Sequence, residues 1–514
     1  MIFFKKKLRL FIQKILDSCQ LAVYYKHKAH SDAFKKRSFI MKKEFVLGYM
    51  PTRRAFFSKE ESFKEKIKTL DAIKQLAPEI KIVDLEFLNS EGLLFNEDEA
   101  AVVAKRFTSE EVDAVFAPHC NFGCEGAVAL AARSINKPLL IWAPRDAAPE
   151  SDGSRLRDSQ CGIFATSKVL QRFGVKFTYI LTSRVTDEVF KKGFLNFIAA
   201  ANVLKNFRNA RIGQIGSRPR DFYSVIANES ELLEQFGIQT IPVDPSAIYR
   251  DVRSRLASPD AELKEAVELV KRTAQFAAGQ AEDVPEKLAA LYISIKKWAE
   301  SENVSAASIQ CWDSMQHEIG ICPCYVNSLL ADEMFPIGCE ADIPGTVSSL
   351  MLQSAQFNRE PVFLADLTIR HPEDDNAELL WHCGPFPASL AKNARRVGNH
   401  FVLPSHAPGV CDWELKDGHV SLIRFDGING KYSLFSGEGD VIPGPYNLGT
   451  YCYVKVADWP YWERKIVEGP YIHHIAGAYG STSAVFYEFC RYCDNLAFDP
   501  ATPTLSEIKK NLEY

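Results

Sequence analysis

The stretch Glu44-Phe-Val-Leu-Gly-Tyr-Met50, which Pro51 follows at once, decides the fold class of this chain. A short apolar run that ends at a proline is typical of a buried strand. Residues 59–77 then have helical spacing, and Ile80-Lys-Ile-Val-Asp-Leu85 predicts a second strand. A buried strand, a helix and another strand in succession predict a parallel sheet that is covered by helices.

The same alternation continues along the chain to about residue 355. A second unit begins near Asn209, and a strongly helical region follows at 260–302. These patterns predict an α/β fold class with two Rossmann-like, doubly wound domains, at 41–205 and 206–355. The supporting elements are the strands at 112–117, 138–143, 211–216 and 240–244 and the helices at 127–135 and 229–236.

The last part of the chain has a different pattern. Short runs of β-branched and aromatic residues alternate there with Gly, Asp and Asn turns, which predicts strands. We therefore expect a β-rich C-terminal domain at 356–514, with mainly antiparallel pairing. The predicted strands are Phe401–Leu403, Val420–Phe425, Tyr432–Phe435 and Tyr451–Val456.

The first forty residues form a basic N-terminal arm. Residues 1–43 hold twelve Lys and Arg residues against only Asp17 and Asp32. One interpretation is a basic amphipathic helix on an anionic membrane surface. The other, which we favour, is that Met41 is the natural start and that 1–40 are disordered or not native. The apolar run in the arm is too short and too interrupted for a transmembrane helix or a signal-peptide core.

The composition excludes several functional classes. With 46% hydrophobic residues, 25% charged residues and a net charge of −4, the chain resembles an ordinary globular protein and gives no indication of nucleic-acid binding. Thirteen cysteines without a secretory signal predict reduced thiols and a cytoplasmic location. The pairs Cys322/Cys324 and Cys490/Cys493 are interpreted as structural thiols. No dinucleotide fingerprint or P-loop follows any predicted strand, which argues against hydride transfer and NTP hydrolysis.

Three short segments in the last third of the chain carry the candidate chemistry. They supply Glu340 within Gly338–Asp342, Asp366 within Phe363–Leu367 at the end of a predicted short strand, and a histidine pair that ends at His474. One Glu, one Asp and one neutral imidazole can bind a divalent metal and leave open positions for substrate oxygens. Each residue also has an ordinary interpretation, since an Asp at a strand end is usually a cap and a histidine pair is usually partly solvated.

The order and the flanking residues of these segments resemble those of the L-fucose isomerase/L-arabinose isomerase family. The resemblance extends over about 41–514 and is strongest in three segments, which resemble those that carry the family's metal-binding glutamate, aspartate and histidine. Within the histidine pair we assign the ligand to His474, with His473 as the alternative. The stretch Ile309–Trp312 resembles part of a substrate pocket, which implies that Gln310 and Trp312 bind substrate. The three segments are Gly338–Thr346, Glu360–Asp366 and His473–Tyr479.

What this resemblance implies is a metal-dependent aldose–ketose isomerase that acts on an open-chain sugar through an enediol. Glu340, Asp366 and His474 would bind a divalent metal, Mn²⁺ by family analogy. Glu340 and Asp366 would also move the proton between the two carbon atoms, and the sequence leaves open which of them removes it. The family also implies a homo-oligomer, either a trimer or a hexamer.

Two other functions stay open at this point. A non-catalytic sugar-binding protein could be built from the same paired domains. A lyase or an epimerase could use the same metal and the same enediolate. The loops that would contact the sugar beyond its second carbon match the family poorly, so the identity of the sugar is open as well.

Overall fold

The structure is a computed structural model, and it describes residues 44–513. The predicted N-terminal arm, 1–40, lies outside the described residues. Across 44–513, no helix is both long enough and apolar enough to cross a membrane.

The opening stretch forms β1, the strand Val46–Tyr49, between β2 and β3 in a five-stranded parallel sheet. Leu47 and Tyr49 are fully buried there, as the apolar run predicts. The sheet has the order β2-β1-β3-β4-β5, so the chain crosses over between strands through helices. Its other strands are β2 Lys81–Val83, β3 Ala114–Pro118, β4 Leu139–Trp142 and β5 Phe177–Tyr179, and its helices are α1 Lys59–Leu76, α2 Ala100–Ser109, α3 Glu125–Ile135, α4 Ser159–Arg172 and α5 Glu188–Phe207.

A second parallel sheet of four strands has the order β10-β9-β6-β7. Its strands are β6 Arg211–Ile215, β7 Gln239–Val243, β9 Ala306–Ile309 and β10 Ile337–Cys339. The predicted helical region 260–302 is two helices, and the short strand β8, Gln275–Phe276, lies between them. The helices of this part are α6 Glu229–Phe236, α7 Pro245–Ala257, α8 Ala261–Thr273, α9 Val284–Ser301, α10 Ser314–Ile319, α11 Cys324–Asp332 and α12 Ile343–Ala355.

The C-terminal region contains a closed barrel. Six antiparallel strands follow one another in the order β16-β15-β18-β11-β12-β17, and β17 pairs again with β16 to close the ring. The predicted antiparallel pairing is thus confirmed. The strands are β11 Phe363–His371, β12 Asp374–His382, β15 Gly418–Ile428, β16 Lys431–Ile442, β17 Thr450–Lys455 and β18 His474–Tyr479. Strands β13 Arg396–Asn399, β14 Pro408–Glu414 and β19 Leu496–Pro500 extend this sheet, and α13 Trp459–Glu468, α14 Ser483–Arg491 and α15 Leu505–Glu513 are its helices.

Two sequence predictions about this region are wrong. Phe401–Leu403 is a bend between β13 and β14, and His400 accepts hydrogen bonds from the backbone N–H groups of Val402 and Leu403. Those donors are therefore not free to pair with another strand. Asp366 does not end a short strand, because it is the fourth residue of the nine-residue strand β11.

Helix α12 joins the second parallel sheet to the barrel. All thirteen of its residues are buried, and it packs against α5, β15 and β18. The chain is thus a mixed α/β protein with parallel sheets, followed by a β-rich C-terminal region with a barrel.

Candidate active site and metal centre

The site lies where the second parallel sheet meets the barrel. Strands β9 and β10 are parallel neighbours, so the residues that follow them emerge at the same edge of the sheet. Trp312 follows β9 and Glu340 follows β10 directly. The N–H of Ala341 donates to the carbonyl of Ile309, at 3.2 Å, which fixes the two loops together.

The barrel supplies the other two candidate ligands. Asp366 of β11 and His474 of β18 are register partners on neighbouring antiparallel strands, so their side chains leave the sheet side by side. Gly477 lies opposite Phe363 in the same pairing, and a Cβ atom on Gly477 would lie 2.2 Å from the Phe363 ring. The glycine at this position therefore lets the Phe363 ring pack directly against the backbone of β18.

The three predicted metal ligands converge. The Nε2 atom of His474 lies 3.1 Å from Oε2 of Glu340 and 3.2 Å from Oδ1 of Asp366. His474 is fully buried and Glu340 is 6% exposed. The Asp366 side chain is 18% exposed, so the site opens on the side of this carboxylate.

The alternative ligand, His473, lies beside this group. Its ring centroid is 4.3 Å from that of His474, and one of its ring nitrogens lies within 4.8 Å of ligand atoms of Glu340 and His474. The ring is partly exposed and also contacts Phe222, at 6.1 Å between ring centroids. His473 is therefore at the mouth of the site and His474 at its base.

The two predicted substrate-binding residues occupy different places. Nε1 of Trp312 donates to Oε1 of Glu340, at 3.2 Å, and its ring centroid lies 4.9 Å from that of Phe222. Trp312 thus touches the carboxylate itself. Gln310 lies directly after β9, and its side chain packs against Gly216. That either residue binds substrate stays a prediction.

The backbone at Glu340 is strained. Glu340 and Ala341 have φ angles of 60° and 54°, which is the left-handed region that residues with a Cβ atom rarely adopt. Two such residues in succession cost free energy, and the buried surroundings have to hold them in place. Strain of this kind is concentrated at functional sites, which fits the placement of the Glu340 carboxylate between Trp312 and His474.

A buried ion pair fixes the orientation of His474. Nδ1 of His474 lies 2.8 Å from Oδ2 of Asp342, and Arg424 binds both oxygens of the same carboxylate. Since a carboxylate only accepts hydrogen bonds, Nδ1 carries the hydrogen and Nε2 of the neutral ring has the lone pair. Asp342 also caps helix α12 by accepting from the N–H of Gly345, at 3.0 Å. Asp342 lies two residues after Glu340 in the sequence, and nothing in that pattern indicates this role.

The charges of the site shift the pKa values of its groups. Burial alone would raise the pKa of Asp342, but Arg424 and His474 outweigh it and hold that pKa well below its usual range. Burial alone would lower the pKa of His474, but the nearby carboxylates of Asp342, Asp366 and Glu340 outweigh it and raise that pKa well above its ordinary value. The pKa of Asp366 is lowered, because the charge of His382 and the contact with His474 outweigh burial. Asp366 is therefore an ionised carboxylate at neutral pH.

His382 is a further buried residue of the site that the sequence does not predict. It is the last residue of β12, it is 1% exposed, and one of its ring nitrogens lies within 4.8 Å of ligand atoms of Asp366 and His474. Burial would lower its pKa, but the charge of Asp366 raises the pKa of His382 to about 10. The only signal in the sequence is a histidine after the apolar run Leu379–Trp381, which is too weak to identify a site residue.

The side chains fit a divalent cation. Within the described residues, four buried atoms at this point make no hydrogen bond of suitable geometry, although Nε2 of His474 lies within 3.2 Å of both carboxylate oxygens. They are Oε2 of Glu340, Oδ1 of Asp366 and Nε2 of both His382 and His474. Buried polar atoms without partners are rare in proteins, and an unseen ion is one of the usual reasons for a cluster of them. Two carboxylate oxygens and an imidazole lone pair are suitable ligands for such an ion.

A family model and several curated proteins match this chain. The model described as "Fucose/sulfoquinovose isomerase, N-terminal domain" matches residues 48–208. By this match the chain resembles the fucose isomerase-like family. The sulfoquinovose isomerase of Priestia aryabhattai is 27% identical over 363 residues, which are 69% of this chain and 78% of the relative.

Two further curated relatives are also described as sulfoquinovose isomerases. The sulfoquinovose isomerase of Alkalicoccus urumqiensis is 28% identical over 329 residues, with 61% of this chain and 69% of the relative covered. That of Clostridium sp. (strain MSTE9) is 26% identical over 267 residues, with 51% and 58% covered. One solved structure in the comparison is a periplasmic solute-binding protein of an ABC transporter from Actinobacillus succinogenes 130z with bound D-allose. It is 12% identical to this chain with a TM-score of 0.16, and the match covers 53% of this chain and 80% of the solute-binding protein. No conclusion follows from so low a score.

Proposed function

We propose that this protein is a metal-dependent aldose–ketose isomerase that acts on an open-chain sugar through an enediol. The relatives indicate an isomerase, which is an intramolecular oxidoreductase acting on sugars. The metal dependence, the enediol and the residue roles are proposed from the site. The observation that carries them is that Nε2 of His474 lies within 3.2 Å of both Oε2 of Glu340 and Oδ1 of Asp366.

The proposal gives each of the three converging side chains a role at a divalent cation. Glu340 and Asp366 supply carboxylate oxygens, and His474 supplies the lone pair of Nε2. The ion pair of Asp342 with Arg424 keeps that lone pair directed at the carboxylates. When bound, the cation would polarise the sugar carbonyl and offset the negative charge that develops during the reaction.

The two carboxylates are proposed to carry the proton between the neighbouring carbons. Trp312 holds one oxygen of Glu340, so the other oxygen faces His474 and the open side of the site. Asp366 is ionised and lies at that open side, within reach of a substrate. An ionised carboxylate next to a bound sugar can remove a proton from the carbon beside the carbonyl, and a second group can return it to the neighbouring carbon. Either carboxylate could take either step.

Other parts of the proposal depend on the resemblance to the family. They are the Rossmann-like, doubly wound character of the two parallel sheets, the domain limits 41–205, 206–355 and 356–514, the preference for Mn²⁺, a trimer or hexamer, and a cytoplasmic location. All of these stay predictions. The names of the relatives make sulfoquinovose the first sugar to test, with L-fucose and L-arabinose beside it.

The test is turnover of these sugars in the presence of Mn²⁺, followed by NMR in deuterated water. Isomerisation places deuterium on the carbon next to the new carbonyl, whereas an epimerase or a lyase gives a different product. Glu340→Gln and Asp366→Asn should each lower kcat by at least about a thousandfold, because each loses both a ligand charge and a proton carrier.

The matched control is Asp374→Asn, which removes a barrel carboxylate that pairs with Lys455 on the surface. This variant should keep the activity of the wild type. Near-normal turnover by Glu340→Gln or by Asp366→Asn would refute the assigned roles. A wild-type protein that binds a sugar but releases it unchanged would support the non-catalytic alternative.

A further inference from the structure

Two cysteine thiols from distant parts of the sequence lie side by side near the candidate site. Sγ of Cys324 and Sγ of Cys383 are 3.8 Å apart, and one thiol donates a hydrogen bond to the other. Cys324 is the first residue of α11, and Cys383 comes directly after the last residue of β12. The proposed isomerase chemistry uses neither thiol.

The nearby Cys322 has a different contact. Its thiol donates to the carbonyl of Ala407, at 3.5 Å. All three cysteines belong to a small apolar cluster with Ala407 and Val410. Cys324 is only 1% exposed, whereas Cys383 is partly exposed. A small oxidant that enters from the solvent therefore meets Cys383 first, with the thiol of Cys324 directly behind it.

A disulfide between these two thiols needs only a local movement. The S–S bond is about 2.05 Å long, so the two sulfur atoms would have to approach each other by roughly 1.8 Å. A change of side-chain rotamer displaces a cysteine sulfur by a distance of this order. The bond can therefore form in the folded protein, but it would strain the backbone at one or both of its ends.

The two ends of this bond would lie on both sides of the candidate site. Helix α11, which Cys324 begins, packs against β10, and Glu340 follows β10 directly. Cys383 lies two residues after Trp381, which is the register partner of Asp366 on the neighbouring strand β11. Glu340 comes from the parallel sheet and Asp366 from the barrel, so a covalent link between α11 and the end of β12 would act on the spacing of the two carboxylates.

We propose that hydrogen peroxide converts Cys324 and Cys383 into a reversible disulfide, and that this bond lowers the activity of the neighbouring site. The inference rests on the proposed isomerase function and concerns its regulation. Disulfides of proteins in reducing compartments are usually transient and often sense the redox state. A displacement of about 1 Å at a reacting group can lower the rate by about 10²-fold, so a small shift of either carboxylate is enough.

The oxidation has two steps. In the first, the sulfur of Cys383 attacks one oxygen of the peroxide, the O–O bond breaks, and the thiol hydrogen leaves with the other oxygen as water. In the second, the sulfur of Cys324 attacks the resulting sulfenic acid, the S–S bond forms, and the S–O bond breaks to release a second water. Two thiols lose two electrons in all, and one peroxide is reduced to two waters. Exchange with an added dithiol reverses the reaction.

The first part of the test maps the bond and needs no substrate. The full chain is treated with hydrogen peroxide, its remaining thiols are alkylated, and it is digested with chymotrypsin without a reducing agent. Cleavage after aromatic residues gives the peptides 313–325 and 382–386, and mass spectrometry should find them joined. The joined peptide should persist in the matched control Cys322→Ser and be missing in Cys324→Ser. Its absence from the oxidised wild type, or its loss in Cys322→Ser, would overturn the proposal.

The second part measures turnover of the same samples. The kcat of the wild type should fall in step with the joined fraction, by about 10- to 100-fold when the bond is complete, and dithiothreitol should restore it. Cys324→Ser should keep most of its kcat under the same peroxide treatment. Unchanged turnover of the cross-linked wild type, or an equal loss in Cys324→Ser, would overturn the regulatory role.

Two features keep the test decisive. The peptide map and the recovery with dithiothreitol use the wild type, so they stand even if Cys324→Ser fails to fold. If the wild type turns over no sugar, the isomerase function fails, whereas the peptide map still decides whether Cys324 and Cys383 form the bond.

Discussion

The substitution Asp342→Asn tests how the buried ion pair supports the site. Asp342 is fully buried and accepts four hydrogen bonds, two from Arg424, one from Gly345 and one from His474. An asparagine has the same shape, but its NH₂ group must replace one of the two oxygens. At either position this group would face two donors, so two of the four hydrogen bonds are lost and the charge of Arg424 loses one counterion.

The structure sets the size of the effect on stability. Loss of one partner from a buried ion pair usually costs about 3–5 kcal/mol. Arg424 keeps its second counterion, Asp426, whose Oδ2 lies 2.7 Å from Nη2. We therefore expect the lower end, a decrease of about 3 kcal/mol in the free energy of unfolding. Denaturation with urea in the absence of metal measures this quantity.

The same substitution should weaken cation binding. Without the carboxylate, Nδ1 of His474 loses the acceptor that holds its hydrogen. The hydrogen of the neutral ring can then lie on Nε2, which leaves that atom without a lone pair for the cation. Loss of such a supporting group typically lowers metal affinity about 10- to 100-fold. Calorimetric titration of the folded variant with Mn²⁺ measures the change.

Asp426→Asn is the matched control, because Asp426 binds the same arginine without contacting His474. It should lower the free energy of unfolding but leave the affinity for Mn²⁺ within about threefold of the wild type, since the contact that orients the ligand is retained. The reasoning is refuted if Asp342→Asn binds Mn²⁺ as tightly as the wild type does. It is also refuted if both variants lose the same affinity.

Two further predictions concern Glu378 and Trp312. Burial raises the pKa of Glu378 to about 7, so its contribution to stability is fully present below about pH 4.5 and is lost as the pH rises to about 7. The free energy of unfolding of Glu378→Gln, relative to that of the wild type, should therefore rise by about 1–2 kcal/mol between pH 5 and pH 7.5, after an allowance for solvent screening. Urea denaturation at the two pH values measures this change, and parallel pH profiles for the two proteins would contradict the prediction. Trp312→Phe keeps the ring but removes the hydrogen bond to Glu340, so kcat should fall about tenfold with little change in Mn²⁺ affinity. An unchanged kcat would show that the bond does not position the carboxylate.

The parallel sheets could be predicted because their strands are continuous apolar runs. Strand β1 lies within Glu44–Met50, and helix α6 lies where the spacing predicts it. The closure of the barrel could not be predicted, because it depends on the pairing of β16 with β17, and alternation along one strand does not specify its partner. The bend at Phe401–Leu403 was predicted as a strand because an apolar run contains no information about the ring of His400, which takes up its backbone donors.

The candidate site could be predicted in part. Glu340, Asp366 and His474 each follow or occupy a strand, so a parallel sheet edge and a strand pair can bring them together. The ion pair that orients His474 joins positions 342 and 424, which are far apart in sequence and have no motif in common. The left-handed backbone at Glu340 was also not predictable, since neither Glu340 nor Ala341 is a residue type that favours that conformation.

The two buried histidines show why the residue type alone does not determine the role. His382 and His474 have the same side chain and lie beside the same carboxylate, Asp366. A carboxylate, Asp342, lies behind the His474 ring, and the backbone N–H of Cys383 lies behind the His382 ring. The histidines are visible in the sequence, but these partners are not, because they depend on the pairing of strands and on the loop that follows β12. The role of each ring therefore follows from what the fold places behind it.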